Sequence, residues 1–158
     1  MRRGPRGPLS GGTLRAALAC FLLWGVSACR ADPQYRPDDV LKRELGLTDR
    51  DEVHRIVITG GASERAEPAA ITVRPGVWVD FYSGDHRIHT VAFEMDSLDV
   101  AQAAFLHRTG QEASPPLVDL ASRFVVTLEG APQGRYPFLL EGNTAPGRGA
   151  VIVRGKGR

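Results

Sequence analysis

The stretch Tyr136 to Val153, YPFLLEGNTAPGRGAVIV, carries an apolar strand into a Gly-rich loop and out again into a second apolar strand. Chemistry is expected at this turn, because the fold exposes side chains where two strands exchange direction. Working outward, upstream segments repeat the same strand character. Ala70 to Val73 and Val77 to Tyr82 are rich in β-formers and separated by Arg74-Pro75-Gly76, where Pro sets φ and Gly accepts a positive φ. Val53 to Thr59 alternates, with His54, Ile56 and Ile58 on one face and Val53, Arg55, Val57 and Thr59 on the other, until Gly60-Gly61 ends it. Ile88 to Phe93 and Arg123 to Leu128 are two more strands, and Leu117 to Leu120 a short edge piece. Pro137 lacks a ladder donor and is expected at an edge or facing outward.

Helix enters twice. Asp38 or Asp39 caps a brief helix through Val40, Leu41 and Glu44 that stops at Gly46. Ser97 to His107 is the convincing helical pattern, with Ser97 as N-cap, Leu98, Ala101, Ala104 and Phe105 on one face, and Gly110 as the stop. His107 suits the helix C-terminus electrostatically, and His54 is a tolerated strand-end histidine. Trp78 and Tyr82 lie on the face opposite Val77, Val79 and Phe81, where they cover the sandwich edge or a partner site. About seven strands with turns between them, and one inserted helix, make the expected class all-β: an antiparallel Greek-key sandwich.

Several segments resemble the cupredoxins, the blue-copper family. Ile71, Thr72, Val73, Gly76, Val79 and Phe81 match its "I-T-V-x-x-G-x-x-V-x-F", and His89 matches the first ligand in "H-x-V-x-F". Phe124, Leu128, Pro132, Gly134, Tyr136 and Phe138 approximate its "F-x-x-x-F…P-G-x-Y-x-F". These landmarks occur in family order from Val53 to Val153. The resemblance implies a plastocyanin-like frame in which Cys, His and Met hold copper. Here the Cys position is Leu140, the second His position is Asn143, and the axial Met falls on Gly147 or Arg148. A blue site needs a thiolate. The expectation is therefore a degenerate member with no cofactor, His89 being a vestige; copper is the alternative, held at a non-standard site around His89 with Asp85, His86 or Glu141.

The amino-terminal region has a different character. Arg2, Arg3, Arg6 and Arg15 precede the apolar run Ala16 to Val26, and no acid occurs before Asp32. Val26-Ser27-Ala28-Cys29 resembles a bacterial lipobox, which implies cleavage before Cys29 and acylation of its sulfur. Expected boundaries are a signal peptide over 1–28, the lipidated Cys29, tether and short helix over 29–50, and the cupredoxin-like domain over 51–158. Arg30 to Pro37, broken by Pro33 and Pro37, reads as the tether. Removing four arginines from the 20 Lys plus Arg leaves 16 against 18 Asp plus Glu, so the mature chain is slightly acidic and nucleic acid is not an expected partner. Cys20 lies in the discarded run, so no free thiol or disulfide remains.

The function these features imply is a binding or structural module of the cell envelope. It is anchored to the cell membrane or outer membrane through lipid on Cys29, with the domain in the periplasm or extracellular space. Arg30 rather than Asp after the Cys resembles signals for the outer membrane. The partner is expected to be another envelope protein, at the end carrying His89, Leu140 and Asn143. No enzyme activity is expected: Ser83, Asp85 and His86 are of nucleophile, acid and base type, but neighbours in one turn do not supply a relay geometry.

Overall fold

The computed structural model describes residues 31–155. Cys20, Cys29 and the signal segment lie outside the described residues. Eight strands are present among the described residues: β1 Val53–Gly60, β2 Glu64–Glu67, β3 Ala70–Val73, β4 Trp78–Ser83, β5 His89–Phe93, β6 Arg123–Thr127, β7 Gly134–Gly142 and β8 Gly147–Val153. They form two four-stranded sheets, ordered β2-β1-β4-β6 and β3-β8-β7-β5. The ladders are antiparallel except β1 with β4 and β3 with β8, which are parallel. The strands do not simply follow one another, and the sandwich is mixed rather than wholly antiparallel.

The core is the space between the sheets, filled by every second residue of each strand. Phe81 of β4 lies edge-on to Phe138 of β7 at 5.0 Å and to Phe93 of β5 at 6.2 Å between centroids. Ile56, Ile58, Val79, Val91, Val126, Leu140 and Val151 complete this layer. Tyr136 is buried and donates its hydroxyl to the Pro132 carbonyl at 2.7 Å. Burial pushes its hydroxyl up to about 12, so it remains a neutral donor.

Strand β2 departs from the expected seven. Its sequence ERAE has no β-former, yet Glu64 and Ala66 point inward while Arg65 and Glu67 point out. The apolar alternation that marks a strand is lost because one inward side chain is a glutamate. Pro137 faces outward as expected, between inward Tyr136 and Phe138, although β7 has β8 on one side and β5 on the other. Its carbonyl accepts from Glu94 N–H at 2.9 Å, so the missing N–H faces the same side, just beyond Phe93 where β5 ends. A donor is not needed there. Leu117 to Leu120 makes only the bridge from Leu117 to His89.

The long helix α2 is Val100–Thr109, shorter at its start than expected. Asp99, not Ser97, is the N-cap: its carboxylate takes the Gln102 N–H at 2.8 Å while the Gln102 amide oxygen takes the Asp99 N–H at 3.0 Å. That reciprocal pair outcompetes Ser97, which lies in a 3-10 turn over Met95–Ser97. The buried face is Gln102, Phe105 and Leu106, with Ala101 and Ala104 outside it. Gly110 stops the helix at φ 65° as expected.

The short helix α1, Asp39–Leu45, is capped by Asp38 and stopped by Gly46 at φ 69°. It lies on the outer face of the first sheet, where Leu41, Leu47 and Val53 bury one another against Trp78 and Val125. Asp38 does more than cap. Its carboxylate also receives Arg55 Nη2 at 2.7 Å and Arg123 Nη2 at 2.7 Å, and both guanidiniums lie over the Tyr82 ring. Beneath them Asp80 is wholly buried, and burial raises its pKa. Of the outer-face residues, Trp78 is thus covered by the chain's own amino-terminal segment and Tyr82 by the β1 and β6 guanidiniums that Asp38 holds. The stretch expected to be a tether is, from Ala31 onward, part of this layer: Ala31 N–H bonds Asp49 O at 3.1 Å, Tyr35 stacks on His54 at 4.2 Å, and Pro37 is buried.

Candidate functional site

One end of the sandwich gathers the turn after β1, the turn between β4 and β5, and the loop between β7 and β8. In β5, the period of two sends His89, Val91 and Phe93 inward. His89 is completely buried. Its backbone is held by reciprocal bonds with Leu117, 3.0 Å from its own N–H and 2.8 Å to its carbonyl.

Each nitrogen of the ring meets a carboxylate. Nδ1 is 2.6 Å from Glu64 Oε2 and Nε2 is 2.8 Å from Asp85 Oδ1. Glu64 is 2% exposed and takes a second bond from the Thr144 hydroxyl at 2.6 Å, on its other oxygen. Its backbone N–H donates to Ala145 O at 2.8 Å, so the β7–β8 loop is fastened to β2 at both backbone and side chain. This close seating explains two loop glycines. A Cβ on Gly142 would stand 2.5 Å from Glu64 Oε1, and one on Gly147 would strike the Glu64 carbonyl.

Asp85 is equally engaged. Its Oδ2 accepts from Gly60 N–H and its Oδ1 from Arg87 N–H, each at 2.8 Å. Burial pushes its carboxyl up, but these two N–H groups and the His89 ring outweigh that and hold it at about 2. An ionised carboxylate only accepts, so with Asp85 ionised the contact at Nε2 is a bond donated by the ring. The three groups therefore form a closed line, carboxylate to imidazole to carboxylate, with Thr144 at one end and backbone donors at the other.

The positions that the sequence marked as ligands do not converge. Leu140 is fully buried in the apolar core, opposite Val91 on one side and Gly147 on the other. Asn143 is exposed beyond the end of β7. Gly147 contributes no side chain, and Arg148 reaches away to Glu94 at 3.4 Å. Of the surface trio Asp85, His86 and His89, the first and last do meet, but His86 stays exposed and Glu64 occupies the other side of the ring. Glu141 is exposed also. No group of three His, Cys, Asp or Glu among the described residues is arranged to hold a metal ion. The donor set does not fit copper: the described residues include no thiolate, and both nitrogens of the His89 ring are committed to carboxylates.

Glu64 and Thr144 were not singled out in the sequence. No local signal in ERAE marks Glu64, because its inward position is itself polar and the apolar alternation that identifies a strand is lost there.

Among solved structures, similar chains include the purple cupredoxin from Nitrosopumilus maritimus, with 21% identity, covering 63% of this chain and 98% of that one, at a TM-score of 0.44. Plastocyanin from Dryopteris crassirhizoma has 20% identity, covering 64% and 100%, at 0.44, and a reduced amicyanin variant 18%, covering 70% and 88%, at 0.45. The chain is similar to solved cupredoxins. At these identities the likeness concerns the fold alone, and neither copper binding nor electron transfer is carried across. No protein-family model and no curated relative matches the chain.

Proposed function

We propose that this chain is an exported, lipid-anchored cupredoxin-like module that binds another envelope protein through its β7–β8 loop end and uses neither copper nor catalysis. The observation that carries the proposal is the placement of exposed apolar side chains. Ile88, Val118 and Leu120 are 44%, 50% and 46% exposed, and the His89–Leu117 bridge sets Ile88 across from Val118. They stand at the same end as Asn143 and Pro146, directly outside a site whose interior is closed by the Glu64–His89–Asp85 line. Exposed apolar side chains gathered on one rim favour docking of a partner. Rigid clamping of the loop by Glu64 and Thr144 keeps that rim in one shape, which lowers the ordering cost of binding. The copper alternative around His89 draws no support from this geometry. The anchor rests on the lipobox-like Val26-Ser27-Ala28-Cys29; no helix among the described residues is long and apolar enough to cross a membrane.

The test is crosslinking of the full-length chain in intact envelopes, with wild type beside a variant carrying Ile88→Ser, Val118→Ser and Leu120→Ser. One adduct that forms with wild type and falls at least tenfold with the variant is expected. An adduct that survives the triple change, or a wild type that forms none, overturns the proposal.

A further inference from the structure

We infer that acylated Cys29 seats the domain directly on the bilayer by the Val53 end of the sandwich, with the β7–β8 loop directed away from the lipid. The inference rests on the anchoring proposed above. Its basis is the position at which the folded body begins. Ala31 is 8% exposed, its N–H bonds Asp49 O at 3.1 Å, and its carbonyl takes Arg36 Nε at 3.1 Å. Asp38 then locks the segment to Arg55 and Arg123. Only Arg30 separates the lipid-bearing residue from packed chain. Two Cα–Cα steps span at most about 8 Å. Such a connection leaves the domain no room to tumble clear of the headgroups.

The direction follows from β1. Ala31, Asp49 and the Tyr35–His54 stack lie beside its first residues, whereas its last, Gly60, bonds Asp85 at the His89 end. Seven strand steps separate Val53 from Gly60, roughly 23 Å. The face beside Ala31 also has fitting chemistry. Leu45, at the end of α1, is 45% exposed, and Arg43 and Arg50, close to it in the chain, are exposed as well. Exposed apolar and basic side chains suit an anionic headgroup layer. Asp32 and Glu44 are exposed there too, so the acyl chains supply the hold and the short connection supplies the orientation. The apolar rim of Ile88, Val118 and Leu120 then meets a partner out in the aqueous space rather than one lying in the membrane.

The acylated chain has no other cysteine after Cys29, so a single introduced thiol takes a fluorophore cleanly. Full-length protein carrying Arg50→Cys or Asn143→Cys is labelled and reconstituted in vesicles of phosphatidylethanolamine and phosphatidylglycerol containing a headgroup energy acceptor. Acylation is verified by fatty-acid labelling that Cys29→Ser abolishes. Transfer several-fold stronger from position 50 than from position 143 is expected. A Gly-Ser spacer of about twenty residues after Arg30, with a root-mean-square reach of roughly 25 Å, should bring the two signals together. Equal transfer without the spacer, from acylated protein, overturns the orientation and leaves the anchor standing. Failure of acylation, with the chain released from vesicles, overturns both.

Discussion

Replacing Glu64 by Gln tests whether the buried line of Glu64, His89 and Asp85 is a single interacting unit. Gln keeps the volume, and its carbonyl can accept from His89 while its amide donates to the Thr144 hydroxyl. What is lost is charge on two hydrogen bonds, both 2.6 Å in the parent. A bond to a charged partner contributes about 1.5–3 kcal/mol and a neutral one about 1 kcal/mol, so Glu64→Gln should cost about 2 kcal/mol. His89→Leu is harsher, because it leaves Glu64 buried with Thr144 alone and strips Asp85 of its ring donor; breaking a buried pair costs about 3–5 kcal/mol. In the double variant the orphaned charge is gone. Its cost should therefore fall short of the summed single costs by at least about 1.5 kcal/mol. Urea unfolding of a chain that begins at Arg30 reads this directly through Trp78, its one tryptophan, which packs under Leu41 and Leu47. Additivity within about 0.5 kcal/mol would refute the claim that ring and carboxylate hold each other.

Asp85 makes stability depend on acid. Its folded pKa of about 2 is below the ordinary 3.8, so its contribution is complete above pH 3.8 and disappears as pH falls through about 2. Asp85→Asn should lose about 1–2 kcal/mol at neutral pH, allowing for partial exposure, and converge on wild type at the acid end; a constant offset across that range would contradict the assignment. Asp38→Ala removes the α1 cap and two guanidinium contacts on a half-exposed carboxylate, and should cost about 1–2 kcal/mol while raising hydrogen exchange in residues 31–47 ahead of the sheets. The sequence suggests that Leu140→Cys with Asn143→His restores some copper binding beside His89, but the structure adds a condition. With Nδ1 held by Glu64, the pair alone should develop no thiolate-to-copper charge-transfer band, and adding Glu64→Ala should produce one; a band of equal strength without the third change would show that Glu64 does not block the ring.

The inward face of nearly every strand is legible in the sequence, because side chains alternate with a period of two and the buried set is apolar. Ile56 and Ile58, Val79 and Phe81, Val91 and Phe93, and Phe138 and Leu140 could all be placed without coordinates. The stops at Gly46 and Gly110 were equally legible, and the first cap to within Asp38 or Asp39, since each rests on a local backbone requirement. That no cysteine follows Cys29 needs only a count of cysteines. None of these reaches Glu64. A polar residue in a polar tetrapeptide has no local reason to be buried, and what buries it is His89, 25 residues away, and Thr144, 80 residues away. The same limit applies to Asp38, whose cap is local but whose hold on Arg123 spans 85 residues. By itself, then, the sequence determined the all-β sandwich, its core and the absence of a thiolate ligand, because propensity, periodicity and composition act over a few residues. Only the tertiary structure decided what surrounds His89 and how the amino-terminal segment covers the sheet, because charged side chains are buried solely by partners that folding brings from distant parts of the chain.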